Sequence, residues 1–323
     1  MNEYRIIYIT CLTILLISGC RKSAETGLWQ IFESSIENRK TYSDPFEDVT
    51  LDVIYTRPDG SQVEFPGFYA GDSTWKIRFM PDQTGIWKYR AFFSDKSKKI
   101  NGTFICDESD VPGMLTLYKD NTIWFGYASG KPLLLRSFHV GDRFFADTTN
   151  LITGDDWSDI QLSRFLGWLQ ENRYNMLSIA SHYLNRNTEG RGKGWRTPDL
   201  WDSERQMPVP DEFDRLEKVL NELSERKIIV FPFAGFLGRN SDYPTDPEKL
   251  DLYLSYTTAR LAPYWNIVFN VGGPEPSLPH SPYMLGEEIT NAGLRIKELN
   301  KFGHLITVHT PTGDSEFRDE PWL

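Results

Sequence analysis

Near residue 130 the hydrophobic period of this chain changes from that of strands to that of strands alternating with helices. From Leu28 to about Glu108, apolar residues recur at every second position: Val49, Leu51, Val53 and Tyr55, then Trp75, Ile77 and Phe79, then Trp87, Tyr89, Ala91 and Phe93. This is the pattern of strands with one buried face. Arg57-Pro-Asp-Gly60 and Pro81-Asp-Gln-Thr-Gly85 supply the turns between them. Residues 28–108 therefore read as an antiparallel β-sandwich. Its tryptophans and Tyr89 are expected in the core rather than on a sugar-binding face. Residues 109–130 read as a connector with a hairpin, Thr122–Tyr127 turning at Ala128-Ser-Gly-Lys131 into the next strand.

Beyond the connector, apolar strands at Pro132–His139, Asn175–Ala180, Ile228–Phe233, Ile267–Val271 and Leu305–His309 alternate with helices at Asp159–Asn172, Asp211–Arg226, Pro247–Leu261 and Gly286–Asn300. Phe213, Leu216, Val219, Leu220 and Leu223 share one helix face. Alternation of this kind implies a parallel sheet with right-handed crossovers. A doubly wound nucleotide fold competes, but no G-x-G-x-x-G follows the first strand, and Gly190-Arg-Gly-Lys-Gly194 lacks the spacing of a phosphate loop. The expected architecture is multidomain, a sandwich followed by a TIM-type β/α barrel over residues 131–323. Five strands fit, whereas a closed eight-stranded barrel typically takes about 250 residues. The barrel is thus expected to be partial, as in a truncated reading frame.

The chain is 40% hydrophobic and 14% aromatic, which excludes general disorder, and its net charge of −10 argues against a nucleic-acid partner. A neutral ligand fits better. No cofactor is implied, and nothing has CxxC metal-ligand spacing. Cys106 reads as a small buried hydrophobe. Residues 1–20 read as a targeting segment, with Arg5, an apolar run at Ile6–Ile17 too short to span a bilayer, and Ser18-Gly19 before Cys20. Leu16-Ile-Ser-Gly-Cys20 resembles the lipobox of bacterial lipoproteins. That resemblance implies a lipid on Cys20, a polar tether at 21–27, and an exported protein anchored to the bilayer. An ordinary secretory signal with an incidental cysteine is the other reading.

Gly67-Phe-Tyr, Trp75-Lys-Ile-Arg-Phe-Met-Pro81 and Gly85-Ile-Trp-Lys-Tyr89 resemble the immunoglobulin-like domain of unknown function that precedes the barrel in many bacterial polysaccharide-degrading proteins. Lys131-Pro-Leu-Leu-Leu-Arg-Ser-Phe-His139, with a carboxylate at the end of strand four, resembles the barrel of apiosidase-like and related retaining glycoside hydrolases. In that clan the strand-four carboxylate is the general acid/base, and its partner comes from a late strand. The resemblance therefore assigns the acid/base role to Glu275, acting on polysaccharide or oligosaccharide. The clan usually places Asn next to this Glu; here Gly273-Pro274 precedes Glu275, and Asn270 stands five residues upstream. A surface residue in a Pro-rich loop is the plain alternative.

Polar and aromatic residues gather after each strand, as a concave site requires. Arg136 and His139 come from the first, His182 and Tyr183 from the second, Asn270 and Glu275 from the fourth, and His309 from the fifth. Each histidine can equally be structural. Trp195 and Trp201 in the long second loop can stack on a pyranose ring or be buried beneath that loop. Asp314 and Glu316 follow strand five as possible second carboxylates or as turn and cap residues. Asp155, Asp156 and Asp159 read as a helix start, not a calcium site.

Overall fold

The computed structural model describes residues 24–140, 159–179, 200–239, 241–311, 313 and 316–323. Cys20 and the targeting segment, His182, Tyr183, Trp195 and Asp314 lie outside the described residues.

The first part of the chain forms two facing sheets. One has the order β1 (Ala24–Gly27), β8 (Lys99–Asp107), β7 (Gly85–Phe93), β3 (Leu51–Thr56), β4 (Gln62–Glu64); the other is β2 (Phe32–Glu37), β6 (Thr74–Phe79), β5 (Phe68–Gly71). Alternation sorts the side chains as period-two burial requires: Leu51, Val53 and Tyr55 point inward from β3, and Trp87, Ala91 and Phe93 from β7. Rings from the two sheets interlock, Phe32 on Phe104 with centroids 3.9 Å apart and Tyr55 on Phe79 at 4.2 Å. Trp75 and Trp87 are buried in this core. So is Cys106, whose thiol burial pushes up to about 12. Ala24–Gly27, read from composition as tether, is instead a strand parallel to β8.

A small sheet follows, β9 (Leu115–Leu117), β10 (Phe125–Tyr127) and β11 (Pro132–Leu133), in the order β11-β10-β9. The turn at Ala128–Lys131 closes it through the Tyr127 amide and the Lys131 carbonyl, 2.9 Å apart. The expected single strand Pro132–His139 is in fact two. Its second half, β12 (Ser137–Val140), belongs to a parallel sheet. Between them the Asn175 side chain donates to the Leu134 carbonyl (2.9 Å) and accepts from the Arg136 amide (2.8 Å), so the backbone leaves one sheet before entering the next.

Five parallel strands then succeed one another as spatial neighbours: β12, β13 (Met176–Ile179), β16 (Ile229–Pro232), β17 (Phe269–Asn270) and β18 (Ile306–Thr307). Register pairs are Ser137 with Met176, Met176 with Ile229, and Phe269 with Ile306, and a bridge between Val230 and Ile267 joins the third strand to the fourth. Among the described residues the array is open, with β12 and β18 at its edges and no closed barrel. A short antiparallel pair, β14 (Trp201–Asp202) and β15 (Met207–Pro208), lies in the second crossover.

The helices α1 (Asp159–Glu171), α2 (Pro210–Glu225), α3 (Pro247–Leu261) and α4 (Gly286–Leu299) stand between the parallel strands in the chain. On α2, Phe213, Leu216, Val219, Leu220 and Leu223 form the buried stripe that their spacing predicts. Asp246 caps α3 by accepting from the Glu248 and Lys249 amides, both at 3.1 Å, with Pro247 in the first turn where its missing N–H costs nothing. Helix α3 and the turn after α4 also meet the sandwich: the Tyr256 hydroxyl of α3 donates to the Tyr69 carbonyl at 2.6 Å, and Phe65 lies edge-on to Phe302 at 4.9 Å.

Candidate active site at the carboxyl ends of the parallel strands

Strand β17 is buried on both faces and ends at Asn270, which is fully buried. The Asn270 amide donates to the Pro232 (3.2 Å) and Phe233 (2.7 Å) carbonyls, tying the exit of β17 to that of β16. Its Oδ1 has no hydrogen-bond partner. Close approach of the two exits requires glycine on both sides. A Cβ on Gly235, whose φ is 70°, would lie 2.1 Å from the Asn270 carbonyl oxygen, and one on Gly273 would lie 2.3 Å from the Phe233 carbonyl oxygen.

Glu275 follows the cis Gly273–Pro274 bond and has a φ of 50°, in the left-handed region that a residue with a Cβ adopts only when its surroundings hold it there. Those surroundings are visible. The Glu275 amide donates to the His309 carbonyl at 2.8 Å, which brings the end of β18 against the loop. Arg239 donates through Nη2 to the Glu275 and Ser281 carbonyls, each at 3.0 Å, and through Nε to the Pro274 carbonyl at 3.4 Å. The guanidinium also lies 4.6 Å from the centre of the Tyr283 ring, and the Tyr283 hydroxyl donates to the Leu237 carbonyl at 2.9 Å. Every backbone polar group of Glu275 is thereby occupied, since the Leu278 amide also donates to its carbonyl at 3.2 Å. The half-buried carboxylate makes no hydrogen bond among the described residues.

His309 shares the site. Burial lowers its pKa, against the opposing pull of the Glu275 charge, so the imidazole is neutral near pH 7. Its ring lies 4.2 Å from that of Phe233, and its Nδ1 is buried without a partner. His139 also lies against Phe233, 5.6 Å between ring centres, and its Nδ1 is 3.0 Å from the Ser178 hydroxyl. The structure thus brings together His139, Asn270, Glu275 and His309, with Phe233 in ring contact with both histidines. Together they present a carboxylate, a neutral imidazole and an aromatic face, a set able to exchange a proton with a ligand and to accept or donate hydrogen bonds.

Two expected members are placed elsewhere. Arg136 precedes β12, at its amino end, with its guanidinium 5.6 Å from the centre of the Tyr174 ring; the other groups are at carboxyl ends. Trp201 is 2% exposed and packs edge-on to Tyr253 at 6.0 Å, so it offers no face to a sugar. Glu316 lies beside Gly286 at the amino end of α4, where the Leu285 amide donates the capping bond to Glu288. Phe233 stands at the end of the third strand, where the rim is expected, whereas Arg239 and Tyr283 build the site without being expected in it. The one signal for Arg239 was its position shortly after a strand that ends in Phe233-Ala-Gly-Phe236.

Comparison with known proteins bears on the fold that carries these residues. Among solved structures, a candidate glycoside hydrolase from Bacteroides vulgatus ATCC 8482 superposes with a TM-score of 0.69 at 19% identity, over 93% of this chain and 59% of that one. A glycoside hydrolase family 5 protein from the same organism aligns with a TM-score of 0.43 at 16% identity over 66% of this chain and 43% of its own. A β-glucuronidase from Bacteroides uniformis does so with 0.37 at 12% over 86% and 31%. The first likeness defines the fold as glycoside-hydrolase-like; the other two are too distant to add to it. The chain spans 59% of the length of that first structure. Residues 25–94 match the family model described as Domain of unknown function (DUF5060), which falls on the sandwich. No curated protein matches the chain in sequence.

Proposed function

We propose that this chain carries the acid/base side of a glycoside hydrolase active site, with Glu275 as the proton-transferring group and polysaccharide or oligosaccharide as substrate. The observation that carries the reading is the meeting of Glu275 and His309 through the amide-to-carbonyl bond at the ends of neighbouring parallel strands. Carboxyl ends are where β/α barrels assemble catalytic groups, and five parallel strands in sequential spatial order are what the first five strands of a TIM-type barrel would be. In the reaction the Glu275 carboxyl gives its proton to the glycosidic oxygen as the C–O bond breaks, and the carboxylate then takes a proton from the attacking water. No cofactor enters this chemistry. The second carboxylate would come from a late barrel strand.

A second reading, a carbohydrate-binding surface without turnover, is favoured by one fact. Among the described residues, the groups gathered around Glu275 are two histidines, an asparagine and a phenylalanine, none of them a carboxylate. Release of reducing sugar from plant and microbial polysaccharides by the wild type, falling by about 10²–10⁴ in Glu275→Gln, decides for the hydrolase. Glycan binding that survives the substitution, with no turnover in either protein, decides for the module. We also propose export and lipid anchoring on Cys20, supported by the lipobox-like Leu16–Cys20. Retention of Cys20→Ser in the membrane fraction would overturn this.

A further inference from the structure

We infer that the cleft between α3 and α4 is a second saccharide-binding site, distinct from the Glu275 site and built against the back of its loop. The inference rests on the carbohydrate reading above. The cleft has a volume of about 400 Å³, within the usual range for small-molecule sites. Tyr243, Tyr283, Leu250 and Met284 give it aromatic and apolar walls, and Asp251 and Asn291 stand at the same cleft as planar polar groups. A pyranose presents the matching surfaces, a C–H face for the rings and hydroxyls for the Asn291 amide, both Asp251 oxygens already accepting from Arg295. Neither a lipid chain nor a phosphate matches that mixture.

Charge narrows the class further. Arg295 lines the cleft, but it is held by Asp251 at 2.6 Å and Glu298 at 2.7 Å, and Glu288 lines the cleft as well. The walls therefore carry no spare cation, and a neutral sugar is favoured over a uronate or sulfated one. Tyr243 lies at the cleft with its hydroxyl in no hydrogen bond among the described residues, so it can donate to a ligand.

The cleft also touches the support of Glu275. Tyr283 and Leu237 line it, and the same Tyr283 bonds the Leu237 and Gly273 carbonyls while its ring carries Arg239. A sugar packed on Tyr283 would press on the residue that fixes the loop bearing the carboxylate. Occupancy behind the loop thus steadies the geometry in front of it.

The test is calorimetric titration of the full chain with cellobiose, xylobiose and maltose, with ligand-observed NMR as a second readout. At least one of these neutral disaccharides should bind. Tyr243→Ala and Asn291→Ala should each weaken that binding at least tenfold with unchanged circular dichroism, while Glu275→Gln leaves it unaltered. Absence of binding to all three, or binding that both cleft variants retain, overturns the proposal. The two readings fail separately, because loss of hydrolysis is seen in turnover and loss of the cleft site in binding to a protein whose Glu275 is already replaced.

Discussion

Arg78 of the sandwich and Glu217 of α2 meet 2.8 Å apart at the seam between the two parts of the chain, with side chains only 4% and 7% exposed. Arg260 of α3 takes the other oxygen of the same carboxylate at 2.6 Å, and Glu33 takes Arg78 from the sandwich side, also at 2.6 Å. Burial alone would raise the Glu217 carboxyl pKa; the two guanidinium charges reverse this and hold it below its ordinary value. Two cations, one from the sandwich and one from α3, thus share Glu217 as their one buried anion, while their other partners, Glu33 and Asp214, are more exposed. Removing that anion leaves Arg78 with only the more exposed Glu33 and Arg260 with only the more exposed Asp214, and the loss of a buried ion-pair partner costs up to about 3–5 kcal/mol. Glu217→Gln should lose stability of that order in urea unfolding, and Arg78→Ala combined with Glu217→Gln should cost clearly less than the sum of the single losses. A Glu217→Gln loss under about 1 kcal/mol, the range of exposed pairs, would show that the seam is solvated and the network incidental.

Arg239 donates to three carbonyls around Glu275, and no other residue type presents a planar fork with that reach. Arg239→Ala should leave the core intact and loosen the loop. Amide hydrogen exchange is the measurement: protection at Glu275 and Leu278 should fall at least tenfold while Val230 and Phe269 exchange as in the wild type. Unchanged protection at Glu275 would mean that the His309 carbonyl holds the loop by itself.

Trp201 gives a prediction that separates core from binding surface. Its ring is enclosed against Tyr253 and its Nε1 is buried without a partner. Trp201→Ala should cost about 3–5 kcal/mol as a large-to-small core change. Trp201→Phe should cost markedly less, since it keeps most of the ring and removes the unpaired N–H. Equal stability of all three proteins, with altered glycan binding in the alanine variant, would return Trp201 to the surface.

The sequence shows most clearly what is periodic. Strands β3 and β7 are legible because each inward side chain is separated from the next by an outward one, and α2 because five apolar residues fall on one stripe. What escapes is decided by distant partners. Pro132–His139 looks like one strand because apolar composition carries no mark of the Asn175 amide that divides it. Arg136 and His139 are three residues apart, so the same strand sends one to its amino end and the other toward the site. Trp201 is buried by a tyrosine some fifty residues away in sequence, a contact no local pattern records. Glu275 is legible as a carboxylate after a buried strand, while the residue that fixes its backbone, Arg239, follows a different strand and has no periodic signature.

His304 supplies a pH dependence whose sign follows from burial. The ring is enclosed between Phe269 and Phe302, and its Nε2 is 2.7 Å from the Ala262 carbonyl, so that nitrogen carries the proton and Nδ1 is bare and unpartnered. Burial penalises the charged ring and lowers its pKa to about 4, against 6.5 for an ordinary histidine. Above pH 6.5 the ring is neutral in both folded and unfolded chains and contributes no pH dependence. As the pH falls from 6.5 toward 4 the unfolded chain takes up a proton that the folded one refuses, so stability is lost across that window. The difference in pKa corresponds to roughly 3 kcal/mol by pH 4. Carboxylates titrate at the lower end of the same range, but they do so equally in a variant that lacks the imidazole. His304→Gln, which keeps a donor for Ala262, should therefore lose about 3 kcal/mol less than the wild type between pH 7 and pH 4 in urea unfolding followed by tryptophan fluorescence. Parallel stability curves for the two proteins would mean that the ring is protonated in the folded state, with water or a carboxylate reaching Nδ1.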